Sequence, residues 1–99
     1  IHRGFYSDNN INYRNDPRWD LLVDFRKKYS EIPVLSDPSH IAGDTKYIEK
    51  LSLNAIKQGV NGFMFEVHHD PNKALSDKQQ QLNPKDFKLL IDKLSIQCD

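Results

Sequence analysis

The sequence predicts an α/β fold in which parallel strands alternate with helices, and three observations carry that prediction. The runs Ile32-Pro33-Val34-Leu35-Ser36 and Gly62-Phe63-Met64-Phe65-Glu66-Val67 are short and apolar, as strands buried on both faces of a parallel sheet are. Segments with apolar residues at steps of three and four precede, separate and follow them. The two runs begin about 30 residues apart, close to the ~31 per unit obtained by dividing a ~250-residue βα barrel by eight. Such alternation implies right-handed crossovers, and two and a half units make less than a barrel.

Each element has local support. Ile1 to Gly4 reads as the tail of a strand, so the chain begins in mid-pattern, as an excerpt of a longer protein would. Asp16-Pro17 suits an N-cap and first turn, followed by Trp19, Leu22, Phe25 and Tyr29 up to the Ser30-Glu31 break. Asp44 can cap a second helix with Ile48, Leu51 and Ala55 on one face, and Gly59 falls where a left-handed residue ends it. Asn83-Pro84 opens a third, with Asp86 in its first turn and Phe87, Leu90, Ile91 and Leu94 as its stripe. The polar loop Asp8 to Asn15 is the stretch expected to be mobile on composition.

Composition excludes several function classes. With 99 residues the chain is one compact unit, and 14 basic against 14 acidic residues leave no net charge to draw it to nucleic acid or an anionic membrane. No run nears the ~18 apolar residues of a membrane span and no signal peptide opens the chain. The apolar share of 37% is low for a lone domain, and the single Cys98 cannot form an intramolecular disulfide, so the expected location is the reducing cytoplasm.

The polar clusters lie just beyond the strand ends, on the face where βα barrels do their chemistry. They are His2-Arg3-Gly4, Asp37-Pro38-Ser39-His40 and Glu66-Val67-His68-His69, with Ala74-Leu75-Ser76-Asp77 in the following loop. His40, Glu66 and Asp77 can converge on a divalent metal, because parallel strands lie about 4.8 Å apart, and mixed N and O ligands suit Mn, Fe, Co or Zn. The bland alternative is an ordinary turn at Asp37-Pro38-Ser39, with Ser39 and Asp44 capping the next helix and Ser76 or Asp77 binding loop amides. Adjacent His68 and His69 should diverge on extended backbone, so at most one faces a common site. Arg3 can grip a phosphate or carboxylate or be a plain surface residue. A Gly-rich phosphate loop, paired Cys and a Gly-x-Ser-x-Gly elbow are absent from the sequence, and Cys98, in a final helix, is expected to be inert.

Taken in order, His2-Arg3-Gly4-Phe5, Tyr13-Arg14-Asn15, Pro33-Val34 through Asp37-Pro38-Ser39-His40 and Gly43, Gly62 through Glu66-Val67-His68, Asp70-Pro71, Lys73-Ala74-Leu75-Ser76-Asp77 and Gln80-Gln81-Leu82 resemble the last third of 3-deoxy-D-arabino-heptulosonate-7-phosphate synthase. The likeness is to the shorter class also found fused to chorismate mutase. It implies the C-terminal portion of a TIM (β/α)8 barrel, from the end of strand six through helix eight, so that residues 1–99 are a partial synthase domain without the N-terminal two-thirds of the barrel. It further implies metal-dependent condensation of phosphoenolpyruvate with erythrose 4-phosphate, the first step toward the aromatic amino acids.

Carried over by motif, His40, Glu66 and Asp77 match three metal ligands. The fourth, a Cys near the first strand, has no counterpart here. Arg3 matches the Arg that holds phosphoenolpyruvate, and His40 is expected to touch that substrate as well as the metal, which makes Arg3 and His40 the expected catalytic pair. Asp37 is expected to orient His40. A Lewis-acidic metal polarises the aldehyde while Arg3 neutralises an anion. Tyr13 stands where relatives have Thr before Arg-Asn, which argues against a substrate role for Arg14. His2 stands where many relatives have Glu, and Lys78 where Gly is common, and neither change removes a ligand.

The expected partners are the two substrates, the remainder of the barrel, an attached chorismate mutase domain and, when complete, further copies in a homo-oligomer. The 99 residues alone are expected to be inactive. Alternatives are 3-deoxy-D-manno-octulosonate-8-phosphate synthase, which typically has Asp-Ala-Thr-His at the seventh strand, and a non-catalytic assembly module with exposed sheet edges.

Overall fold

The structure, a computed structural model, describes residues 1–8 and 12–97. The chain runs through α1 (Trp19–Lys28), β1 (Leu35–Ser36), α2 (Pro38–Ala42), α3 (Ile48–Lys57), β2 (Gly62–Phe63) and α4 (Pro84–Gln97), with 3-10 turns at Thr45–Tyr47, Pro71–Lys73 and Lys78–Gln80. β1 and β2 pair in parallel, Leu35 opposite Gly62 and Ser36 opposite Phe63. His2 bridges Ser36 in parallel from the other edge, and a further parallel bridge joins Val67 to Leu82. The alternation of parallel segments and helices is the one the spacing predicts.

The strands are shorter than their apolar runs because the flanking N–H groups are bound elsewhere. Pro33 has none, Val34 N–H donates to Asn61 Oδ1 at 2.8 Å, and Glu66 N–H donates to Ser39 Oγ at 3.0 Å. Nor are both faces covered. Val34 and Ser36 are buried and Phe63 and Phe65 pack toward the helices, whereas Leu35, Met64 and Val67 are exposed, Met64 at 47%. Apart from Val67 this is the period of two of a sheet, with one face packed within this portion of the fold.

Ile41, Ala42, Ile48, Leu51, Leu82, Leu90 and Leu94 form the core, where α2, α3 and α4 meet. Asp44 accepts from Lys46 N–H at 3.1 Å and so caps the turn that runs into α3. Gly59, at φ +82°, ends that helix with its N–H on Ile56 O, as the sequence suggests. At α4 the cap is reciprocal: Asn83 Oδ1 accepts from Asp86 N–H at 2.7 Å while Asn83 Nδ2 donates to Asp86 Oδ2 at 3.1 Å. Leu90 and Leu94 reach the core, and Ile91 stays at its exposed margin.

α1 departs from expectation. Asp16 exchanges both backbone hydrogen bonds with Phe5, at 2.7 and 2.8 Å, so it is held in a bridge and cannot begin the helix. Arg18, at φ +42°, takes the N-cap position, and the Asp16 carboxylate accepts from its N–H at 3.1 Å. Of the stripe, Leu22 alone is buried, and Phe25 and Tyr29 lie against each other at a tilt of 44° at the surface. The expected mobile loop is partly tied down, since Arg14 and Asn15 N–H groups donate to Ala42 and Ile41 carbonyls. Residues 9–11 of that loop, and Cys98, lie outside the described residues.

His2 is buried beside Trp19, with ring centroids 5.1 Å apart, and its Nε2 lies 2.6 Å from Pro17 O. That contact fixes Nε2 as the donor and leaves buried Nδ1 without a partner among the described residues. Burial pushes the imidazole below its ordinary value of 6.5, outweighing the Pro17 bond, which acts the other way.

Candidate metal centre

The turn leaving β1 is built around one carboxylate. Asp37 caps α2, its Oδ1 accepting from His40 N–H at 3.1 Å, with Pro38 in the first helical position. Its Oδ2 lies 2.6 Å from His40 Nδ1, so the group that starts the helix also sets the ring. Ser39 is buried within α2 and accepts from Glu66 N–H, tying this turn to the chain that leaves β2. The reading of Asp37-Pro38-Ser39 as a plain turn, with Ser39 capping the next helix, is therefore corrected. Gly43 ends α2 at φ +71°, where a Cβ would stand 2.6 Å from Arg14 Cβ, so glycine allows residues 13–16 to lie against the helix. Asn15 Nδ2 uses that proximity to donate to His40 O at 3.0 Å.

His40, Glu66 and Asp77 each offer one ligand atom, and these atoms lie within 4.8 Å of one another. His40 Nε2 is 3.3 Å from Glu66 Oε1. The Asp37 carboxylate can only accept, so Nδ1 carries the proton and Nε2 of the neutral ring is a bare lone pair. Two lone pairs then face each other, an arrangement that calls for a cation or a second proton between them. A separation of ~3–3.4 Å is also what two ligands at ~2.0–2.2 Å from one ion adopt. The donor set and the His40–Glu66 spacing thus fit a divalent cation bound by mixed N and O ligands.

Glu66 is held by its other oxygen. Oε2 accepts from Gln80 Nε2 at 2.6 Å and from Gln81 Nε2 at 3.3 Å. Gln80 Oε1 accepts from Arg14 Nη1 at 2.7 Å, and the same nitrogen bonds Asp77 Oδ1 at 3.1 Å. Asp77 enters the 3-10 turn at φ +53°, which turns the loop back toward β2. Arg14 thus binds a site carboxylate, a role its motif context did not suggest.

The remaining expected residues are placed as follows. Arg3 is half exposed, with Nε 3.7 Å from Asp37 Oδ2, at the rim of the same turn. His68 and His69 are not members of the three-residue cluster. Their rings do not diverge but stack at 4.7 Å, because the chain bends at His69 and Asp70 N–H donates to His68 Nδ1 at 2.9 Å. Sequence reasoning missed Gln80 and Gln81 as site residues. The available signal was a pair of amides three and four positions after an expected ligand.

Comparison with known proteins bears on this geometry. A model of the DAHP synthetase I family matches residues 1–97. A phospho-2-dehydro-3-deoxyheptonate aldolase of Thermotoga maritima is 41% identical over 73 residues, which are 74% of this chain and 22% of that protein. A 2-dehydro-3-deoxyphosphooctonate aldolase of Wolinella succinogenes is 33% identical over 89 residues, covering 76% of this chain and 34% of the relative. Among solved structures, a truncated form of 3-deoxy-D-arabino-heptulosonate 7-phosphate synthase from Thermotoga maritima superposes with a TM-score of 0.82 at 36% identity, covering 93% of this chain and 34% of the other. The phospho-2-dehydro-3-deoxyheptonate aldolase structure from the same organism gives 0.85 at 35% identity, over 95% of this chain and 27% of that one. The chain therefore spans between about a fifth and a third of the length of the relatives it matches.

Proposed function

The chain belongs to the DAHP synthetase I family and has the fold of an α/β portion of its barrel, and from that premise we propose that it carries the C-terminal part of a heptulosonate phosphate synthase site. In this reading a divalent cation is held by His40, Glu66 and Asp77, and the reaction joins phosphoenolpyruvate to erythrose 4-phosphate. The observation that carries it is the bare Nε2 of His40 facing Glu66 Oε1 at 3.3 Å, with Asp37 fixing the tautomer. The cation would supply Lewis acidity toward the aldehyde oxygen.

The chain's own residues do the rest. Asp37 keeps the His40 ring in one rotamer and one tautomer, so that Nε2 points inward at every turnover. Glu66 presents Oε1 while its Oε2 stays bonded to Gln80 and Gln81. Arg3, at the rim, is positioned to neutralise the carboxylate or phosphate of phosphoenolpyruvate with its planar fork. Arg3 Nε and His40 Nδ1 both approach Asp37 Oδ2, at 3.7 and 2.6 Å, which supports one mouth for the cation and the anion.

The remainder of the barrel is needed for activity in this proposal, since the fourth ligand and the other basic residues of the resemblance lie elsewhere. The test is phosphoenolpyruvate consumption with erythrose 4-phosphate by the complete protein. His40→Ala and Glu66→Ala are each expected to lower the rate about a thousandfold or more, which is several kcal/mol of charge stabilisation at ~1.4 kcal/mol per decade. Undiminished activity in either would overturn the site assignment. The octulosonate relatives favour a second reading, in which a five-carbon aldose phosphate replaces the four-carbon one; a side-by-side substrate comparison decides between them. No described helix is long and apolar enough to cross a membrane, in keeping with a cytoplasmic enzyme. Homo-oligomerisation and an attached chorismate mutase are checked on the complete protein by light scattering and by a mutase assay.

A further inference from the structure

Gln80 is an uncharged side chain placed between charged groups. It is 2% exposed, although Lys78 and Gln79, its neighbours in the same turn, are exposed. Its amide has a fixed sense. Oε1 meets Arg14 Nη1, which can only donate, at 2.7 Å, and Nε2 meets Glu66 Oε2, which as a carboxylate can only accept, at 2.6 Å. Turning the amide over would set donor against donor and acceptor against acceptor. The result is a directional chain from Arg14 through Gln80 to Glu66, and Arg14 closes it on Asp77 at 3.1 Å.

We propose that Gln80 is a positioning residue of the metal centre, which holds Oε2 of Glu66 so that Glu66 offers its metal a single oxygen, and which couples Glu66 to Asp77 through Arg14. Leu82 N–H on Glu66 O at 3.0 Å and the Val67–Leu82 bridge return the loop carrying Asp77 to the end of β2, but the two carboxylates themselves have to be held by side chains. Gln80 and Arg14 do so, with the Arg14 charge directly on Asp77 and the Gln80 amide relaying it to Glu66. Gln81, at 3.3 Å, is the weaker of the two contacts to Glu66 Oε2. The proposal rests on the reading that His40, Glu66 and Asp77 bind a cation.

The test is titration of the metal-free complete protein with Co2+, read by its visible absorption spectrum and its apparent Kd. Gln80→Met keeps the volume and loses both bonds, while Gln80→Asn keeps the amide and loses the reach. Both are expected to bind Co2+ ~10- to 100-fold more weakly, the range for groups that orient metal ligands, with an altered absorption spectrum as Glu66 is freed to use both oxygens. Gln81→Met is expected to change Kd less than about threefold by the same comparison. The wild-type Kd and spectrum in either folded Gln80 variant would overturn the proposal, and Gln80→Asn decides alone should Gln80→Met not fold. Glu66→Gln and His40→Ala separate the two levels. Unchanged Co2+ binding in those variants contradicts the metal site itself, whereas their loss of binding beside a wild-type Gln80→Met contradicts only the positioning role.

Discussion

Helices α1 and α3 are both 10 residues long with apolar residues recurring at three and four, yet α3 buries Ile48, Leu51 and Ala55 while α1 buries Leu22 alone. The difference lies in their neighbours. α3 sits between α2 and α4 in the core, whereas α1 leaves Leu21, Phe25 and Tyr29 open to solvent. Periodicity therefore locates a helix and its apolar face, and tertiary context decides whether that face is covered. The same division runs through the site. His40 on α2, Glu66 after β2 and Gln80 before α4 are fixed by the packed half, while Arg3 precedes the open half and is itself half exposed.

Mutations can sharpen this contrast. The largest loss is expected from Leu51→Ala, which empties a fully buried position of α3 and should lower stability by about 2–5 kcal/mol in urea unfolding. Next is Ser39→Ala, which strips Glu66 N–H of its acceptor and should cost about 1–3 kcal/mol while loosening the link between α2 and the chain after β2. Asn83→Ala removes both bonds of the α4 cap and should cost about 1 kcal/mol, seen as a lower unfolding midpoint.

The order of elements was legible because each carries its own signal. Gly59, Asp44 and the Asn83-Pro84 pair mark helix ends by backbone chemistry that needs no partner. The convergence of His40 and Glu66 followed from their place beyond successive strand ends, and that of Asp77 from the loop after the second. What the sequence hid depends on contacts far apart in the chain. Asp16 fails as a cap because Phe5 claims its backbone, and Ser39 fails as one because Glu66 claims its hydroxyl. Gln80 reads as a polar loop residue until Arg14, 66 positions away, is brought onto it.

On the α1 side the expected effects are smaller. His2 binds its proton less readily in the folded chain than its ordinary 6.5, so the unfolded chain holds more protons as pH falls below that value. Stability contributed by neutral His2 is thus present above pH 6.5 and lost as pH drops toward the lowered folded value. Wild-type unfolding midpoints should fall over that window, and a His2→Gln variant should show less of the fall. Phe25→Ala is expected to cost about 1–2 kcal/mol, less than Leu51→Ala, since Phe25 is 40% exposed. A loss as large as that of Leu51→Ala would mean that the two helices are equally packed and would break the comparison.

The central claim, that the packed half presents a divalent metal site, is tested most directly by anomalous scattering from crystals of the complete protein soaked in Mn2+. The account predicts one peak about 2.0–2.3 Å from His40 Nε2, Glu66 Oε1 and an oxygen of Asp77. A peak elsewhere, or none while His40 Nε2 and Glu66 Oε1 still face each other, would contradict it.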